Sequence, residues 1–332
     1  MASPPRDGDD LVRDLTTRVD LPLGPILRVE QLTGGVSSIV LRVCDGESSV
    51  IIKQARSELD VADSWSADPK RSHVEAEALR LMDVIVPGFV PRVVMEDEDL
   101  HVIVLEAAPD DWRNYKSLLI DGVASPYPSR HIGELLAAWH SSTASWDRIP
   151  EIFQRSDALM ELRVEPFFLS VARKQPEFSE VALRAGSFLT SGGCCLVHGD
   201  ATPKNVLVSP DESKFWLLDA EVLHFGRPEL DVAMWSAHLL IKGHRKEGST
   251  KTAAVALSEF ASAYRASDAM HLLIDDELRV LVAAVIYARV FGTSRVDYLH
   301  TVEVDKLLAS VSQLLNSRQP VLEEFASMES FA

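Results

Sequence analysis

The 332-residue chain reads as an α+β protein in two lobes, a small β-rich N-terminal one and a larger, mainly helical C-terminal one. Up to about residue 106, short strand-like runs alternate with turns; beyond it, apolar residues recur at helical spacing. The length supports two lobes sharing a cleft, and a hydrophobic content of 46% is ample for sizeable cores. Residues 1–10 read as a disordered lead-in, 11–106 as the N-lobe and 107–328 as the C-lobe.

The lead-in is polar and proline-rich, which fits neither a signal peptide nor a buried element, and a short helix is expected after it. Residues 26–32 and 39–43 read as strands joined through Thr33-Gly-Gly-Val-Ser-Ser38. With Gly34, Gly35 and Ser37 in the loop, such a hairpin can fold over nucleotide phosphates, because backbone N–H groups at glycine approach anions closely. A plain hairpin turn fits the same residues. Residues 48–53 form a β-run ending in Lys53, which is either a solvated surface group or a clamp on phosphates.

Residues 63–71 read as a polar loop, and 72–82 as an amphipathic helix with Val74, Ala78, Leu79, Leu81 and Met82 along its apolar stripe. At ~100° per residue, Glu75 lies nearer the centre of that stripe than Glu77. A glutamate facing the lobe interior needs a partner. Glu75 is therefore matched with Lys53, and Glu77 is held in reserve. Residues 90–95 and 101–106, separated by an acidic turn, make a further hairpin whose end at Glu106-Ala-Ala-Pro109 should cross between the lobes.

In the C-lobe, Ile132, Leu135, Leu136 and Trp139 mark a helix over 131–140, and His140 at its end reads as a satisfied core histidine in preference to a site group. Leu230, Ala233, Met234, Ala237 and Ile241 mark another helix after Pro228. An apolar stretch at 281–289 gives way to the polar, glycine-containing segment 291–298.

The most informative stretch is Leu196-Val-His-Gly-Asp-Ala-Thr-Pro-Lys-Asn205, followed by Leu218-Asp-Ala-Glu221. Phosphoryl transfer from a nucleotide needs a carboxylate to orient or deprotonate the acceptor hydroxyl. It also needs hard oxygen ligands for Mg²⁺, which takes only one or two from protein. Asp200, Asn205 and Asp219 are the right chemical types. The apolar runs 206–208 and 214–218 flank a Ser-Pro-Asp-Glu-Ser turn and read as a β-hairpin. A turn centred near Asp211 and Glu212 puts Asn205 and Asp219 at the same open end of the ladder, where their oxygens converge. The alternative is an ordinary buried hairpin with polar flanks.

His198-Gly-Asp200, Asn205 and Asp219-x-Glu221 resemble the catalytic core of the aminoglycoside phosphotransferase and choline kinase superfamily, the small-molecule relatives of protein kinases. The Asp-x-Glu form, with His224-Phe-Gly-Arg-Pro-Glu-Leu-Asp231 after it, is most similar to the 5-methylthioribose kinase-like branch. The resemblance covers residues 25–315 and is strongest over 196–231. It implies a bilobal protein-kinase-like fold using ATP and Mg²⁺. Asp200 would be the catalytic base, Asn205 and Asp219 the Mg²⁺ ligands, and Glu221 a further metal-site carboxylate. Asp231 would buttress the catalytic loop, with His198 as structural support, and Lys53 would hold the α- and β-phosphates. Backbone groups of Leu105, Glu106 and Ala107 would meet the adenine edge. Arg289 would either reach into the acceptor pocket, as late-chain basic residues do in similar sugar kinases, or pair at the surface. The implied activity is transfer of a γ-phosphate to a hydroxyl of a small metabolite or antibiotic. Two other readings stay open: a catalytically silent module binding a nucleotide or metabolite, and a resistance kinase for an aminoglycoside-like cation. No Ala-Pro-Glu-type segment follows Asp219, so a protein substrate is not expected.

A formal net charge of −17 argues against nucleic acid as a partner, since that would favour a basic face. The charge fits a cationic substrate, and equally an ordinary acidic cytosolic protein. No apolar run approaches the ~18 residues needed to span a membrane. Three cysteines, two of them adjacent at 194 and 195, point to a reduced cytoplasm. A monomer or homodimer acting on a small hydroxyl-bearing acceptor is the expected assembly.

Overall fold

The computed structural model describes residues 8–32, 37–58, 66–246 and 250–328. Gly34 and Gly35 of the expected phosphate loop lie outside the described residues, as do residues 1–7 of the expected lead-in. The described chain opens with α1 (Gly8–Arg18), so Asp9 and Asp10, assigned by sequence to the lead-in, belong to a helix. Two carboxylates in its first turn suit the positive end of the helix dipole. Leu11, Val12 and Leu15 anchor it by burial against the sheet.

Five antiparallel strands follow: β1 (Arg28–Gln31), β2 (Ser38–Cys44), β3 (Ser49–Ala55) and, after α2 (Arg71–Ile85), β4 (Val93–Asp97) and β5 (Val102–Glu106). Their order in the sheet is β1-β2-β3-β5-β4. Strand period assigns the faces. Leu41, Val43, Val50, Ile52, Val102 and Val104 pack with α1 in one core. Ile51, Ile103 and Leu105 join the larger core shared with α2 and the C-lobe. Lys53, two residues on from Ile51, therefore faces α2. The strand continues past it to Ala55, which pairs with Ser38. Helix α2 begins at Arg71, a residue the sequence placed in a loop, and ends at Ile85.

The chain leaves the sheet through β6 (Arg113–Asn114), α3 (Tyr115–Asp121) and α4 (Tyr127–Ala144). After α5 (Glu151–Gln154), α6 (Asp157–Leu159) runs into a π-wound stretch, Met160–Leu169, that continues as α7 (Ser170–Lys174). Pro166 sits inside that stretch. A proline there has no N–H for the ordinary helical ladder, which accounts for the altered winding. Then come α8 (Ser179–Thr190), β7 (Cys195–Val197), β8 (Val206–Val208), β9 (Phe215–Leu217), β10 (His224–Gly226), α9 (Glu229–Gly243), α10 (Thr250–Arg265), α11 (Asp275–Phe291), α12 (Val304–Asn316) and α13 (Val321–Ala326). Strands β7 and β10 pair, and β8 joins β6 to β9.

The sequence predicts a one-sided apolar stripe for the helix after Pro228. In the structure every residue of α9 is buried, because the helix runs through the middle of the C-lobe core. Its polar residues, Glu229, Asp231, Ser236, His238 and Lys242, are therefore interior groups that require partners or a purpose. Among the described residues, no helix is long and apolar enough to cross a membrane.

Helix α4 lies close against α10 at Gly133, where a Cβ would come 2.7 Å from the Phe260 carbonyl oxygen and 3.1 Å from Ala263 Cβ. Helix propensity alone favours Ala over Gly by ~1 kcal/mol, whereas overpacking typically costs ~1–3 kcal/mol. Backbone cannot swing aside as a flexible side chain can, so the steric effect should win. Gly133→Ala should lower stability by about 1–2 kcal/mol in urea unfolding. An unchanged or higher midpoint would show that the α4–α10 seam yields.

Candidate active site

Three buried residues of β7 carry the chain into His198-Gly199-Asp200. Gly199 turns the backbone with a φ of 78°, and a Cβ there would lie 2.8 Å from both the Val222 oxygen and its Cγ1. Only glycine satisfies both constraints. Asp231, in the first turn of α9, ties this turn from behind. Its Oδ2 accepts from the His198 N–H at 2.7 Å and its Oδ1 from the Gly199 N–H at 2.8 Å. His140 Nε2 lies 3.1 Å from the same Oδ2, and its Nδ1 lies 2.8 Å from the Tyr264 hydroxyl. The expected core histidine is thus buried and satisfied, and it reaches the site through Asp231. Burial alone would raise the Asp231 pKa; His140 and the His198 backbone outweigh it and hold the carboxyl below the ordinary range. His198 is buried, with Nδ1 accepting from the Asp200 N–H at 3.2 Å. Burial keeps its imidazole neutral.

Asp200 is 4% exposed and surrounded by donors. Arg163 Nη2 stands 2.9 Å from Oδ1, Asn205 Nδ2 donates to Oδ2 at 2.7 Å, and Lys204 Nζ lies 3.2 Å from Oδ2. Arg163 also donates through Nε to the Gly199 carbonyl at 2.7 Å. Burial pushes the Asp200 pKa up, but Arg163 and Lys204 push harder, so the group is ionised at neutral pH.

The hairpin after Asn205 forms as the sequence predicts, with Val206 opposite Leu217 and Glu212 in the turn at a φ of 54°. The Leu218 N–H donates to the Asn205 carbonyl at 2.8 Å, so Asn205 and Asp219 leave the ladder at one end. Asp219 itself has a φ of 68°, a left-handed conformation that aspartate tolerates better than most residues. Its Oδ1 lies 2.5 Å from Lys53 Nζ. The same ammonium lies 2.8 Å from Glu75 Oε1 and 2.7 Å from Oε2. Glu77 is only half-buried and pairs with Arg80, whereas Glu75 is buried against Lys53, so the face assignment drawn from helix geometry holds.

Glu75, Asp219 and Glu221 each place a carboxylate oxygen within 4.8 Å of the others. Burial and the two neighbouring acids, opposed by Lys53, push the Glu75 carboxyl up to about 7. For Asp219, Lys53 reverses the effect of burial and holds the carboxyl well below its usual range. Glu221 is also engaged by Arg71, whose Nε lies 2.9 Å from Oε2. The other Arg71 nitrogens donate to the carbonyls of Ala67, Asp68, Ser37 and Arg56 at 3.3, 3.0, 2.5 and 2.8 Å. One buried guanidinium thus joins Ser37, the chain beyond β3, the start of α2 and the Asp-x-Glu segment.

At the end of β5, the Glu106 N–H donates to the Arg92 carbonyl at 2.9 Å. Ala107 follows, and a cavity of about 530 Å³ lined by Glu106, Ala107, Trp112 and Trp216 lies beside this crossing. The rings of Trp112 and Trp216 stand 5.1 Å apart. Arg289, in the last turn of α11, donates to Ser294 Oγ at 2.6 Å and stacks over Phe167 at 5.6 Å. It makes no ion pair among the described residues, so the surface pairing considered from sequence does not occur. Burial lowers its pKa, and Asp200 opposes that shift.

Sequence reasoning missed Arg163, Lys204 and Arg71. Lys204 lay in plain view within the motif, four residues after Asp200. Arg163 carried a usable signal, a lone arginine in the mostly apolar run 162–169. Arg71 carried none, because it adjoins a polar segment and is recruited by long-range folding.

No known family profile matches the sequence. A methylthioribose kinase from Geobacillus sp. (strain WCH70) is 27% identical over 259 residues, 68% of this chain and 63% of that protein. The chain thus spans less than two thirds of the length of that relative. A methylthioribose kinase from Geobacillus thermodenitrificans (strain NG80-2) is 28% identical over 359 residues, 92% of this chain and 89% of that protein. Among solved structures, a choline/ethanolamine kinase family protein from Mesorhizobium loti superposes with a TM-score of 0.53 at 17% identity, covering 96% of this chain and 91% of its own. Two lobes, with an antiparallel sheet in one and helices in the other, together with this likeness, define a protein-kinase-like fold. Within it, the sequence is similar to the methylthioribose kinases.

The Asp231 tie yields a pH-resolved prediction. Exchanging this carboxylate for an amide sets an N–H against a backbone N–H, and Asp231→Asn should cost about 2–4 kcal/mol at pH 7. The folded pKa lies below the unfolded value of about 4. The contribution is therefore full above that value and lost as pH falls through the folded pKa. Urea unfolding at pH 7 and in acid should show the deficit shrinking in acid; a pH-independent deficit would refute the role of the charge.

Proposed function

We propose that this protein transfers the γ-phosphate of ATP to a hydroxyl group of a small molecule. The observation that carries the reading is an ionised, buried Asp200 set beside an ammonium–carboxylate cluster contributed by both lobes. The methylthioribose kinases among its relatives support small-molecule chemistry. Three free cysteines fit a cytoplasmic setting.

The converging carboxylate oxygens around Asp219 are hard donors of the kind Mg²⁺ prefers. Asp219 and Asn205, with Glu221, would hold the ion, which when bound with nucleotide neutralises and orients the phosphates. Lys53, aimed by Glu75, would meet the α- and β-phosphates, and backbone groups at Glu106 and Ala107 would meet the adenine. Asp200 has a lowered pKa and is a weak base. Its work is then to orient the acceptor hydroxyl and take the proton late, as the bond to phosphorus forms. That suits a loose transition state, in which positioning and electrostatics supply most of the acceleration. Arg163 and Asn205 fix the rotamer this task requires. A silent binding module would have no use for a carboxylate held ionised by three donors.

Asp200→Asn should reduce kcat by about 10²–10⁴-fold while nucleotide affinity stays nearly unchanged; retained turnover would remove Asp200 from the mechanism. Asp219→Ala should weaken Mg²⁺-dependent nucleotide binding by about tenfold or more, that is ~1.4 kcal/mol. Calorimetry showing undiminished Mg·ATP affinity would exclude Asp219 as a metal ligand.

A further inference from the structure

We infer that Arg71 is a positioning residue that holds the Glu221 carboxylate and the backbone of Ser37 in one register, so that Mg²⁺ and the nucleotide phosphates bind as a coupled pair. The inference rests on the phosphotransferase reading and concerns how the donor half of its site is assembled. Arg71 is 3% exposed and spends each of its nitrogens. Nε donates to Glu221 Oε2 at 2.9 Å, and Nη2 donates to the Ser37 carbonyl at 2.5 Å and the Arg56 carbonyl at 2.8 Å. The Ser37 carbonyl also accepts from the Arg56 N–H at 2.9 Å. Ser37 and Arg56 flank the paired residues Ser38 and Ala55 at the ends of β2 and β3. The guanidinium therefore reinforces an existing backbone contact and ties it to the Asp-x-Glu segment.

Helix α2 carries Arg71 and Glu75 one turn apart, a spacing that puts them on a common face. Glu75 holds Lys53 and Arg71 holds Glu221, so one helix sets two members of the carboxylate cluster. A guanidinium is planar and rigid, and its nitrogens cannot move independently. Any adjustment of Glu221 on loading the metal site is therefore felt at Ser37, which is the physical basis of coupling between two sites. Lysine, with one nitrogen on a flexible stem, cannot reproduce that bridge. Arg279 is the contrasting case. It is 6% exposed and donates to the Leu314 and Gln319 carbonyls, at 2.7 Å each, and to Asp275 at 2.8 Å. Its partners belong to the last three helices and their connections, and none is a site group. Arg71 differs in joining two segments assigned to the nucleotide and its metal.

Calorimetric titration of the full-length protein with ADP, in excess Mg²⁺ and in EDTA, measures the coupling as the ratio of the two affinities. Arg71→Lys should reduce that ratio about fivefold or more and leave the affinity in EDTA like wild type. In a Glu221→Gln background the same substitution should reduce it no further. A purely architectural role would lower both affinities together, or neither. Hydrogen exchange supplies a measurement that needs no substitution and decides the matter if Arg71→Lys fails to fold. In the wild type bound to ADP, exchange around the Arg56 amide should slow when Mg²⁺ replaces EDTA. A wild-type ratio of one, an undiminished ratio in Arg71→Lys, equal loss in both conditions, additive losses with Glu221→Gln, or unchanged exchange around Arg56 would each overturn the inference. Failure of the wild type to bind ADP in excess Mg²⁺ would instead defeat the phosphotransferase reading.

Discussion

A single ammonium group organises this protein. Lys53 is buried between Glu75 of α2 and Asp219 of the C-lobe hairpin, with Glu221 and Arg71 immediately around it. Burying any of these charges alone would be prohibitive; together they compensate one another. Compensation across segments is also what fixes geometry. Lys53 comes from a strand, Glu75 from a helix and Asp219 from a left-handed turn. Displacing any one leaves a buried charge uncompensated. The cluster therefore joins the two lobes with a positional stringency that apolar packing does not provide. It is also unbalanced, with three carboxylates against two cations, and burial together with the neighbouring acids raises the pKa of Glu75.

On the side of the cleft facing the cluster, two groups spend all of their hydrogen-bonding atoms internally. Asp231 uses both oxygens on the backbone of the His198-Gly199 turn, and Arg71 uses each of its nitrogens. Such closed networks rigidify what they hold. On the C-lobe side, past Asp200, Arg289 donates to Ser294 and keeps a buried Nε without a partner.

How much of this was legible in the sequence depended on whether the cause was local. The hairpin between Asn205 and Asp219 could be read because its turn residues and apolar runs are contiguous. Choosing Glu75 over Glu77 needed only the helical angle. The extension of α1 over Asp9 and Asp10 was missed because its buried contacts are with a sheet distant in sequence. The burial of α9 on all sides, and with it that of His238 and Lys242, follows from neighbours that no local pattern announces. Arg163 was hidden for a related reason: it reaches Asp200 from a stretch whose winding is altered around Pro166, so helical periodicity gives no guide to where it points.

The paired indoles beside the crossing between the lobes have a practical consequence. Trp112 lies in the turn just after the crossing, where its backbone N–H donates to the Pro109 carbonyl at 3.1 Å, and Trp216 belongs to the strand leading to Asp219. Both are half-buried, so their emission responds to local polarity, whereas Trp139 and Trp235 are sealed in the core. With Trp65 and Trp146 replaced by Phe, the pair would serve as an intrinsic fluorescent gauge at the crossing between the lobes. Movements too small to alter its overall shape become optical signals without any attached label.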